Sequence, residues 1–259
     1  VRRFILPLAA VVGLLALWEV LARTGALADI LDINPQVRDL LVPAPTEVAK
    51  ALWEDRDLLA DNGWATLKAL LAGLGLSLAL GVGFAVAMHL SETLRRAFYP
   101  LLVASQTIPI VAIAPVLFIW LGFGIGPTLA VIVLICFFPV TVSTFDGLRS
   151  VDVQAVRMMR TLDAGRAAIL RRLELPAALP QFFSGAKVAV AVSAIAAVFG
   201  EYVSANEGLG VVIKQAQAQL LTARVFAAIV VLSAFAIGLF ALLSLLERRF
   251  AWWGPRGLS

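Results

Sequence analysis

Residues 151–180 read VDVQAVRMMRTLDAGRAAILRRLELPAALP, a basic stretch between long apolar runs. Residues 153–162 can form a short helix with Val156, Met159 and Leu162 on one face. Asp163, Ala164 and Gly165 read as a turn. Residues 166–175 can form a second helix, which Pro176 and Pro180 are expected to end. A helical hairpin tethered between apolar segments has a surface to meet. Arginines with exposed methionines suit a groove on an acidic or adaptable protein partner. The alternative is a solvated loop whose arginines rest near anionic lipid. The helix-turn-helix pattern does not by itself mean DNA, because the segment is tethered between apolar spans.

The rest of the chain supplies that membrane. It has 259 residues, of which 61% are hydrophobic, and a mean hydropathy of +0.94. Soluble domains are nearer half apolar. Crossing a hydrocarbon core of about 30 Å takes roughly 20 residues of helix. Runs at 4–21, 69–90, 97–121, 127–145, 184–203 and 223–246 meet or approach that length. The fold class is therefore an all-α polytopic membrane protein with six transmembrane helices and an inner loop of two short helices, read as one domain over 1–259. Arg2 and Arg3 precede the first run as in a signal peptide, but Trp18, Glu19 and Arg23 follow it in place of a small-residue cleavage site. An uncleaved helix is expected.

Arginine distribution sets the orientation. With the N-terminus inside, the inner segments hold Arg2, Arg3, Arg95, Arg96, Arg149, the hairpin arginines, Arg248, Arg249 and Arg256. The outer ones hold the smaller share, Arg23, Arg38, Lys50, Arg56, Lys68, Lys214 and Arg224. The positive-inside rule then puts both termini and the loop 149–180 in the cytoplasm. Lys187 lies in the fifth run, where it either snorkels inward or faces a cavity.

The outer loop, 24–62, contains LVPAPTEVAKALWED. Thr46 is expected to cap a short amphipathic helix with Glu47 in its first turn and Val48, Leu52 and Trp53 on its apolar face. In the second run Gly73, Ser77, Gly81 and Ala85 recur every four residues. That is a surface for close helix approach, within one subunit or between two. His89 continues the register. Pro109 and Pro115 fall in the third run and Pro139 in the fourth. Beside them Gln106, Thr107, Thr141 and Ser143 are candidates to line a pathway; hydrogen bonding between helices is the other reading. The uncharged LGFGIGP at 121–127 is a tight turn or re-entrant bend.

Enzymatic chemistry is missing from the sequence. No Walker A, HExxH, GxSxG or CxxC pattern occurs. One histidine and one cysteine make no metal site. The chain is read as a non-catalytic subunit that binds no cofactor itself.

These features meet in one family. Leu173-Glu174-Leu175-Pro176 resembles the I-x-L-P end of the EAA loop of ABC-importer permeases. Counting back places Asp163 at that motif's glycine and Arg157-Met158-Met159 at its EAA, so the proximal half departs from the pattern. Asp is among the few residues that visit the left-handed region, so the turn survives, and Gly165 can share the role. LVPAPTEVAKAL, SQTIPIVAIAPVLFIWLGFGIGP, FFPVTVSTFDGLRSVD and FGEYVSANEGLGVVI resemble segments of the nitrate, sulfonate and taurine permeases. The wording APVLFIWLGFG looks closer to their pyrimidine thiamine-precursor and riboflavin subgroup.

The resemblance implies a permease half of an ATP-driven importer in a bacterial cell membrane. Its partners would be cytoplasmic ATPase subunits, an extracytoplasmic substrate-binding protein and a second permease copy, with ATP and Mg on the ATPase. Arg160, Leu162, Asp163, Ala164, Gly165 and Arg166 would meet the ATPase. An ion-coupled secondary transporter and a structural assembly protein are the alternatives; the first wants an ion site and usually an internal repeat, and neither is visible.

Overall fold

The computed structural model describes residues 2–25 and 42–253. Much of the expected outer loop, 26–41, lies outside them, as does Arg256. The described residues are helical and fall into two compact units. One takes in the first helices and 207–232; the other takes in 66–206 and 233–253.

In the first unit, α1 (Arg2–Thr24) covers the first expected span. Next comes α2 (Pro45–Glu54). Thr46 does not cap it. Pro45 takes the first helical position, where its missing N–H costs nothing, and Ala44 is the N-cap. The Ala44 N–H donates to Glu47 Oε2 at 3.0 Å, so Glu47 performs half of a capping box alone. The Thr46 hydroxyl donates instead to Glu19 on α1 at 2.9 Å. Val48 is buried while Trp53 is exposed. From Arg56 the chain runs into α3 (Arg56–Leu90), which continues into the second unit.

The second unit is built on close helix contacts. A Cβ on Gly73 would stand 2.6 Å from Ile132, and one on Gly81 would stand 2.7 Å from Val140. The small-residue face of α3 is therefore occupied inside this chain by α6 (Ile125–Arg149). Positions rise together along both helices, so α3 and α6 run parallel. The chain between them must return from the Leu90 end to the start of α6.

That return is where the third expected span departs from one continuous helix. It is α4 (Glu92–Ser105) and α5 (Ile110–Leu121) with a break at 106–109. Pro109 cannot donate to a preceding turn and keeps the residue before it out of helical geometry. It becomes the N-cap of α5, while Pro100, Pro115 and Pro139 are absorbed within α4, α5 and α6. The 121–127 segment is the tight turn, with Gly122 at φ 74 and Gly124 at φ 114, conformations that favour glycine.

After α6 come α7 (Val153–Thr161) and α8 (Arg166–Ile169). A π turn, Leu170–Glu174, feeds α8 directly into α9 (Leu175–Ser204). The expected stop at Pro176 and Pro180 does not occur. Pro176 sits in the first turn of α9, and the π turn before it takes up the register change. Gly147 meets Ala178, Gly185 meets Pro139 and Ser143, and Gly200 meets Thr128. Rising positions on α9 meet falling positions on α6, so this pair is antiparallel. The first unit also contains α10 (Leu209–Ala218) and the start of α11 (Thr222–Phe250). Four stretches are long and apolar enough to cross a membrane among the described residues: α3, α6, Arg166–Val203 and α11.

Candidate functional site

The α7–α8 connection is a formed knuckle. Asp152 caps α7, its Oδ1 accepting from Gln154 N–H at 2.8 Å. At the other end Asp163 N–H donates to Arg160 O at 3.0 Å and Ala164 N–H to Met159 O at 3.0 Å. With Asp163 at φ 62, this is a Schellman ending in which an aspartate occupies the usual glycine position. Gly165 does not share the left-handed role. It is extended, φ −66 and ψ 163, and caps α8.

The residues singled out from sequence lie at and beside this knuckle. Arg160, Leu162, Asp163, Gly165 and Arg166 are exposed and Ala164 is half-buried. Leu162 is 72% exposed and Met158 64%, an apolar ridge among cations. Below them Ile169 is buried, anchoring α8. Glu92, outside the apolar spans, forms ion pairs with Arg95 and Arg96. The Arg96 and Arg95 hydrogen bonds hold its carboxyl below the usual range.

The pathway residues separate into two places. Gln106 and Thr107 are exposed at the break between α4 and α5. Thr141 is buried, its hydroxyl donating to Phe137 O at 2.7 Å; Ser143 faces Gly185 across the α6–α9 seam. Thr144 donates to Val140 O at 2.6 Å and Ser77 to Gly73 O at 2.6 Å. These hydroxyls return to their own helix backbone, which hides a donor inside a packed helix pair.

Two relationships were not read from sequence. The Lys187 ammonium pairs with Glu247 on α11 and lies 5.8 Å from the Phe240 ring centroid. Glu174, 3% exposed, meets His89. Lys187, a charge inside the fifth apolar run, was the available signal in the first case, since such a charge wants a partner; no local signal marked the second. The small positions Gly185, Ala189, Ser193, Ala196 and Gly200 on α9 were a further unread stripe.

Four long apolar helical stretches among the described residues fit a multi-pass membrane protein. Residues 77–252 match the family described as binding-protein-dependent transport system inner membrane component, and the chain belongs to it. It is 36% identical over 241 residues to the formylaminopyrimidine transport permease protein ThiX of Halalkalibacterium halodurans, covering 93% of this chain and 92% of that one. It is 36% identical over 215 residues to the riboflavin transport system permease protein RibX of Chloroflexus aurantiacus, covering 82% and 80%. The resemblance to the nitrate, sulfonate and taurine type, with its pyrimidine and riboflavin subgroup, is borne out by such relatives. In fold the chain is similar to inward-facing structures of the MetNI methionine ABC transporter, with TM-score 0.58 at 15% identity over 72% of this chain and 96% of that one.

Proposed function

We propose that this ABC permease subunit carries a small heterocyclic nutrient, a pyrimidine thiamine precursor or a riboflavin-like solute, into a bacterial cell. The observation that carries this reading is the match along nearly the whole length of ThiX, whose name gives formylaminopyrimidine as its solute. RibX supports the heterocyclic class. Uncharged Gln106 and Thr107 at the exposed break fit a solute held transiently by hydrogen bonds. Thr141 and Ser143 border the same route by setting how α6 packs.

The chain acts as one permease domain with six crossings and both termini in the cytoplasm. The parallel run of α3 and α6 supports this, because α4 and α5 must then supply a return crossing. Arg160, Leu162, Asp163, Ala164, Gly165 and Arg166 dock into a separate ATPase, which holds ATP and Mg. A second copy completes the pore, and an external binding protein delivers the solute.

Uptake by the reconstituted complex tests the proposal, with labelled aminopyrimidine, riboflavin, taurine and nitrate offered in turn. Uptake of either heterocycle, lost on Gly165→Pro, is the expected result. Uptake of only taurine or nitrate overturns the solute and leaves the family assignment standing.

A further inference from the structure

Glu174 is the last residue of the π turn, and its side chain is 4% exposed. Its Oε2 lies 2.9 Å from Nε2 of His89, itself 11% exposed and next to last in α3. Its Oε1 lies 3.5 Å from a terminal nitrogen of Arg166, the first residue of α8. One buried carboxylate therefore touches both the end of a long helix and the root of the knuckle.

The backbone makes that position consequential. A π turn is wider than an α turn and often marks a functional position. This one is the only backbone link between α8 and α9, so rotation about it would let the knuckle move while the bundle stayed still. Across it, α3 is already fixed to α6 through Gly73 and Gly81, and α6 to α9 through Gly147 and Gly185. The two atoms are close but not aligned as a hydrogen bond, so the contact is electrostatic; a buried carboxylate is costly to leave without a partner, so parting it from His89 is opposed.

We propose that His89 and Glu174 are positioning residues that lock the π turn, so that a force on the knuckle is delivered to α3 and not lost as bending at Leu170–Glu174. Arg166 extends the lock to α8 through the second carboxylate oxygen. This deepens the ATPase-docking assignment and rests on it.

The test uses the full complex with its ATPase. Spin labels at Ala164→Cys and Leu90→Cys report the distance from the knuckle to the end of α3. The parent is expected to give one narrow distribution that ATP does not shift. His89→Ala should broaden it, make it shift with ATP, and lower permease-dependent stimulation of hydrolysis about fivefold, within the range of mutations along a coupling network. His89→Gln, which keeps a donor there, should restore the narrow distribution. Lys187→Gln breaks the other helix-joining ion pair; it should lower thermal stability without broadening the distance. A narrow, ATP-insensitive distribution in His89→Ala overturns the lock, as does equal broadening in Lys187→Gln. Failure of the docking assignment reads differently: the ATPase would then not protect Ala164→Cys from a thiol reagent in the parent. Should His89→Ala fail to assemble, Glu174→Gln gives the same distance readout with the same two outcomes.

Discussion

Arg224 grips Asp55 with two parallel hydrogen bonds, Nε to Oδ2 and a terminal nitrogen to Oδ1, each 2.7 Å. The side chains are 31% and 18% exposed. The pair joins the start of α11 to the junction of α2 and α3, 169 positions earlier in the chain. Trp18 on α1 meets Phe226, two residues further along α11, with tilted rings and centroids 5.5 Å apart.

This fork geometry is specific to guanidinium. Arg224→Lys is therefore expected to destabilise the detergent-solubilised chain by about 1–2 kcal/mol, and Asp55→Asn by a similar amount, as hydrogen bonds to charged groups do. Thermal or denaturant unfolding measures it. Unchanged stability in both variants would show that the pair contributes nothing.

The α6–α9 seam is expected to be intolerant of one added carbon. A Cβ on Gly185 would meet Pro139 O at 2.5 Å and Ser143 Cβ at 2.6 Å. Gly185→Ala should cost roughly 1–3 kcal/mol from overpacking. Gly75 has nothing within 4 Å of its ideal Cβ, so Gly75→Ala should gain about 0.5–1 kcal/mol from helix propensity. The same unfolding assay on both chains reads opposite signs.

Asp163 is at φ 62, so the knuckle should prefer glycine there. Asp163→Gly is expected to preserve ATPase stimulation. Asp163→Val should reduce it, because a β-branched residue in the left-handed region costs about 1–2 kcal/mol. Stimulation by the two variants, compared at equal ATPase occupancy, decides the matter.

Topology can be read against a silent background. Cys136 is the chain's one cysteine; it is buried and its thiol donates to Ala189 O at 3.3 Å. The unsubstituted chain should therefore not label with a hydrophilic thiol reagent until denatured. Introduced cysteines at Ala164 and Lys214 should label from the cytoplasmic and outer sides respectively. The reverse pattern would invert the orientation derived from the arginines.

Apolar run length placed the long helices α3, α6, α9 and α11 and the helical course of α1, because burying a backbone in hydrocarbon requires a helix of that length. The knuckle was legible too, since Asp163-Ala164-Gly165 interrupts two short helical patterns. The family followed from local wording. What local wording did not contain was partnership. Lys187 and Glu247 are 60 positions apart, and nothing in either run announces the other. His89 and Glu174 are likewise distant in sequence. Pro176 looked like a stop because a proline's steric demand is local, whereas the π turn that accommodates it belongs to a helix already held against α6. The hydroxyls beside the prolines had two expected destinations, and the Thr141 hydroxyl bonds its own helix backbone. Sequence by itself determined which segments are helical and apolar; tertiary structure decided which faces meet, because side-chain pairing depends on distances that only the packed helices create.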